Sequence, residues 1–148
     1  MIRLNLEDGM ENLIKQIEKA GKDAEAAAER CMRESAEIMH EKLVDEMVGH
    51  DSGNGAIYEL AQRMPSPEIE KDFGKVTAHV GYHKGTYNPN ELSDGYKVVF
   101  LNYGTPRRPD KQGQIQKMGF IDKAKKRAKP LIREKQEKTL KEILENVK

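Results

Sequence analysis

The chain has 148 residues, 36% of them hydrophobic and 34% charged, with no Trp and three Phe. That length makes one domain with a thin core, and leaves apolar surface for another subunit to complete. A net charge of +1 hides an asymmetry: residues 1–70 hold 8 Lys/Arg against 16 Asp/Glu, net −8, and residues 71–148 hold 18 against 9, net +9.

Several classes are excluded. No run of about 18 apolar residues is present to span a membrane. The segment Met1-Ile2-Arg3-Leu4-Asn5-Leu6 has no apolar signal core. One cysteine, Cys31, rules out an internal disulfide and reads as a small buried hydrophobe.

Apolar residues at Met10, Ile14, Ile17, Ala24, Ala28, Cys31, Met39, Leu43 and Met47 recur at helical spacing, and predict an amphipathic helix from about Asp8 to about Val48. Asp8 with Glu11 three residues on suits a capping box, and Gly49 suits the stop. Unbroken, such a helix would be about 60 Å long. Gly21 is therefore the expected break. The small residues between Ala24 and Ala28 would let another backbone pack close.

Residues 50–55 read as a loop. Ala56 to Met64 reads as a short helix or alternatively a strand, ended by Pro65-Ser66-Pro67. Two strands are expected next. In Lys75–Tyr82, Val76, Ala78, Val80 and Tyr82 share one face. Tyr96–Tyr103, nearly continuous in apolar residues, is expected to be the central strand. The polar segment His83–Gly95 between them is too long for a tight hairpin.

A Pro- and Gly-marked loop follows from Thr105 to Met118, and a basic helix from about Phe120 to Val147. Pro130 within it is expected to kink or break the helix. The expected architecture is thus α+β: one domain over 1–148, with helices over about 8–48, a small mostly antiparallel sheet over about 56–105 and a C-terminal helix over about 120–147.

The chain offers no familiar catalytic pattern. His79 and His83, four apart along a strand, would stand about 13 Å from each other, too far for one Zn²⁺. A phosphate-cradling loop and a nucleophile elbow are both lacking. No catalytic, cofactor or metal residue is therefore assigned, and no small-molecule substrate. The basic run Lys123–Lys129, with Arg107 and Arg108, has the chemistry to neutralise phosphates, but few aromatic side chains lie nearby for base stacking. The bland reading of this run is a solvated or subunit-facing helix.

One stretch is more specific. A β-branched and aromatic run ends in Asn102-Tyr103-Gly104-Thr105. After a variable loop, Phe120, Ile121 and Ala124 open the last helix. This pattern resembles the head–tail joining and tail-completion (minor tail) proteins of long-tailed bacteriophages and prophages. The order of elements fits across nearly the whole chain, although the specific motif is some ten residues. Asn102 stands where that family has an acidic residue, Gly119 replaces a proline, and Lys123 stands at a second proline position.

The resemblance implies a non-enzymatic virion protein of the tail or neck, present in the host cytoplasm during assembly. Its partners would be other copies of itself, connector or head-closure proteins, and tail-terminator or tail-tube proteins, with DNA in the ring lumen. Arg107, Arg108 and Lys111 are the candidate loop contacts to partner or DNA. Gly104 is expected at positive φ, and Tyr103 and Phe120 as core anchors for the two ends of the loop. The alternative is a small nucleic-acid-binding protein using the basic C-terminal helix.

Overall fold

A computed structural model describes residues 2–51, 53, 55–72, 74–83, 93–104 and 117–146. Among these the chain is α+β. Its elements are β1 (Ile2–Leu4), α1 (Met10–Lys19), α2 (Ala24–Gly49), α3 (Ala56–Gln62), β2 (Glu68–Asp72), β3 (Lys75–Val80), α4 (Asp94–Tyr103) and α5 (Phe120–Glu145).

The N-terminal helical run divides near Gly21, which takes a left-handed φ of 77°. Asp23 then caps α2 by accepting the Ala26 N–H at 3.1 Å. The expected Asp8 capping box does not form; Gly9 occupies the cap of α1 and no side chain caps it. α2 buries Ala28, Met32, Ser35, Ala36, Met39, Leu43 and Met47, a stripe at steps of three and four. Against it α5 sets Ala124, Ala128 and Ile132, so small residues bring the two helices together while unbranched Met side chains fill the gaps.

Pro130 does not break α5. It lies on the exposed side between Ala128 and Ile132, both buried, and that packing holds the helix through one missing N–H donor.

The sheet is antiparallel, in the order β1-β3-β2, with Ile2 opposite Val80 and Ile69 opposite Ala78. β3 is central. Its Val76, Ala78 and Val80 are buried together with Tyr82 on one face, and Thr77 on the other face is buried too. Tyr82 donates its hydroxyl hydrogen bond to the Leu60 carbonyl, tying the end of β3 to α3. β1 and β2 had no counterpart in the sequence reading. One is three residues long, and the other, Glu-Ile-Glu-Lys-Asp, is an edge strand too polar to announce itself.

The largest correction concerns residues 96–103, expected as the central strand. They are helix α4. Residues 56–62, expected as either helix or strand, are helix, so among the described residues of 56–105 the strands are β2 and β3. A continuous apolar run does not distinguish strand from buried helix by periodicity. The cap settles it: the Ser93 side chain accepts the Tyr96 N–H at 3.4 Å, with Asp94 in the first turn. The buried members of α4 are Gly95, Val98 and Asn102, at helical steps of three and four. Of the expected 83–95 loop, residues 84–92 lie outside the described residues, and Asp94 and Gly95 already belong to α4.

Candidate functional site

The two halves of the sequence motif meet where α4 ends and α5 begins. α4 stops at Gly104, whose φ of 78° and ψ of 177° lie in a region open essentially to glycine alone. Its N–H donates to the Phe100 carbonyl at 2.8 Å. The positive φ expected there is present, although the chain leaves a helix and not a sheet.

Three further hydrogen bonds fasten the segment before α5 onto the last turn of α4. Met118 N–H donates to the Leu101 carbonyl at 3.1 Å, and Gly119 N–H to the Asn102 carbonyl at 3.0 Å. The Asn102 side-chain Oδ1 accepts the Ile121 N–H at 2.9 Å.

That last bond solves a local problem. Gly119 is the N-cap of α5, in left-handed conformation at φ 66°, and has no side chain with which to satisfy the first-turn donors. Asn102, far back in sequence, acts as the cap instead. The orientation of its amide follows, because Oδ1 must face the Ile121 N–H. Asn102 is fully buried, and its Nδ2 has no hydrogen-bond partner among the described residues. A buried donor left so is costly. The sequence reading gave Asn102 no such role. The available signal was the glycine directly before a helix, which obliges some other residue to supply the cap.

Phe120 is the core anchor expected of it, fully buried with its ring 6.3 Å from that of His50. Ala124 is also fully buried and Ile121 half-buried. Tyr103 is not an anchor: it is 60% exposed, because the helical turn points its neighbour Asn102 inward instead. Thr105, Arg107, Arg108 and Lys111 lie outside the described residues.

Beside the clamp, α3 and α4 enclose an open groove of about 530 Å³ walled by Ile57, Leu60, Phe100 and Leu101, with Arg63 and Lys97 among its polar lining. Arg63 grips Asp94 in a fork at 3.0 and 3.1 Å, which holds the Asp94 carboxyl below the usual carboxylate range. Tyr58, Val99 and Tyr103 add exposed apolar surface on the same two helices.

The basic run of α5 is split by function. Arg127 reaches Glu46 of α2 at 2.7 Å, whereas Lys123, Lys125, Lys126 and Lys129 are exposed to solvent.

His79 and His83 each face a carboxylate of β2, Glu70 at 2.8 Å and Glu68 at 3.0 Å. No group of three His, Cys, Asp or Glu among the described residues is placed to hold a metal ion. Burial pushes the Cys31 thiol up to about 12, so it stays protonated. No helix among the described residues is long and apolar enough to cross a membrane. The chain matches no family model, no curated protein and no solved structure.

Proposed function

We propose that this chain is a non-enzymatic structural protein of a phage or prophage particle, a component of the head–tail junction that works by tail completion and ring assembly. One observation carries the reading: Asn102-Tyr103-Gly104 and Phe120-Ile121, the motif behind the resemblance, are joined by hydrogen bonds into one clamp. A clamp of this kind fixes the residues that flank 105–116 while leaving the sequence between them free to vary. On this reading Arg107, Arg108 and Lys111 meet a neighbouring copy, a connector or tail-terminator protein, or DNA in the lumen. The virion neck is the corresponding location.

Light scattering over a concentration series, with negative-stain microscopy of the heaviest species, tests the proposal. A discrete closed ring is the expected product. A second reading, nucleic-acid binding through α5, is favoured by the exposed lysines of that helix. It predicts a monomer whose affinity for duplex DNA falls steeply with salt. A strict monomer with that salt dependence would replace the assembly reading.

A further inference from the structure

Two patches of opposite charge stand apart on the surface among the described residues. Much of the opposition between acidic and basic halves is neutralised inside the molecule, by Glu46–Arg127 at 2.7 Å, Glu34–Lys135 at 3.3 Å and Glu29–Lys71 at 2.6 Å. The remainder is unevenly placed. An open groove of about 470 Å³ lies between α1, the start of α2 and the beginning of β3. Leu6, Ile14 and Val76 contribute to its apolar lining, with the carboxylates Glu11, Glu18 and Glu25 and the ammonium of Lys75; Glu25 also faces Lys71 of β2 at 3.7 Å, which leaves Glu11 and Glu18 as the acids of the groove.

The second patch is the outward face of α5. Lys123, Lys126, Lys129 and Arg133 are all exposed, and steps of three and four place them in one row. Like charges at those steps repel each other. Among the described residues the ion pairs of α5 are made by other residues: Arg127, Lys135, Glu137, Lys141 and Glu142. Asp122, one turn before Lys126, is an acid within the row; Glu137, one turn after Arg133, is held by Lys141 at 2.7 Å and also feels the Arg133 charge.

The two patches match in spacing as well as in sign. Glu11 and Glu18 are seven residues apart on α1, and Lys126 and Arg133 are seven apart on α5. Seven residues are about two helical turns, about 10.5 Å. Each pair is fixed on a rigid helix, so two helices laid side by side bring both acids to both bases. The alkyl stems of the lysines would cover the apolar lining of the groove while their ammonium groups reach the carboxylates.

We infer that the acidic groove receives the outward face of α5 from a second copy of this chain. Each copy gives one patch and accepts with the other. Such a contact is heterologous, and it either closes into a ring or propagates as a filament. The inference rests on the assembly reading above and names the surfaces through which assembly occurs.

Sedimentation at low salt tests it with three full-length variants: Glu11→Lys with Glu18→Lys, Lys126→Glu with Arg133→Glu, and all four changes together. The wild type self-associates with concentration and less so as salt rises. Each paired reversal raises the midpoint concentration about tenfold or more, because like charges then face each other. The fourfold variant recovers association, since opposite signs face again. Thermal melts verify that these surface changes leave the fold intact.

A monomeric wild type, or a fourfold variant as weak as the pairs, overturns the inference. Paired variants that both assemble as well as the wild type overturn this interface while the assembly reading stands. If both variants carrying Lys126→Glu and Arg133→Glu lose duplex DNA binding and keep wild-type assembly, the row is a nucleic-acid surface and the inference falls.

Discussion

Two buried amides, Gln136 and Asn102, show how differently this chain treats its scaffold and its candidate site. Both are fully buried. Gln136 uses both ends: Oε1 accepts the Glu7 N–H at 2.8 Å, and Nε2 donates to the Ser35 hydroxyl at 2.9 Å. The Ser35 hydroxyl in turn donates a hydrogen bond to the Cys31 carbonyl at 2.8 Å. The relay ties the segment before α1, α5 and α2 at one point, and Thr139 to Glu34 at 3.0 Å reinforces it. Among the described residues Asn102 uses one end only and leaves Nδ2 unpaired. A satisfied network specifies one packing, whereas a half-satisfied one stores unfavourable energy. The scaffold has the first kind and the clamp the second.

The comparison is sharpened most by Gln136→Ala. It removes both bonds, leaves the Glu7 N–H without its acceptor and opens a cavity. The expected loss is about 3 kcal/mol in urea unfolding. Gly104→Ala comes next. An alanine cannot hold φ 78° with ψ 177° without strain, and a cost of about 2 kcal/mol follows. If the assembly reading holds, this variant also loses assembly at temperatures where it is still folded, because the exit from α4 is re-aimed.

Asn102→Ala should cost less than Gln136→Ala, about 1 kcal/mol, although both residues are equally buried. The lost α5 cap is offset in part by removal of an Nδ2 donor that has no partner among the described residues. Equal losses at the two positions would break the comparison, because they would mean that Nδ2 has a partner in solution. Chemical denaturation of the two variants side by side decides the point.

The helices that build the scaffold were legible because their apolar residues recur at three and four with little ambiguity. α2 and α5 are of this kind, and Gly21 marked the division of the first run. The region of the clamp was legible only as a pattern of residue types. Val98-Val99-Phe100-Leu101 favours strand by local preference, yet Ser93 and the burial of Gly95, Val98 and Asn102 impose a helix, so tertiary context prevails over propensity. The cap from Asn102 to α5 spans 19 residues, a distance at which local sequence rules have no reach. β2 went unseen for the opposite reason: four of its five residues are charged, and its pairing to β3 is carried by backbone. The acidic and basic halves were plain in the sequence. Which charges the fold would neutralise internally depended on α2 and α5 packing against each other.

The smallest expected effect lies at the other end of α4. The fork between Arg63 and Asp94 fixes the start of that helix against α3, but it stands partly in solvent, where such pairs contribute little. Arg63 holds the Asp94 pKa below its ordinary value of 3.8. A depressed carboxylate stabilises the folded state above its unfolded pKa, and that contribution is lost as pH falls through the folded value. Asp94→Asn should therefore be slightly less stable than wild type at neutral pH, and the gap should close as pH drops below about 3.8. Urea midpoints across an acid titration measure the gap. A difference that persists unchanged into strong acid would mean that Asp94 acts at the start of α4 through packing and not through its charge. The two ends of the helix would then both be held by shape, and the contrast between scaffold and clamp would rest on the buried amides alone.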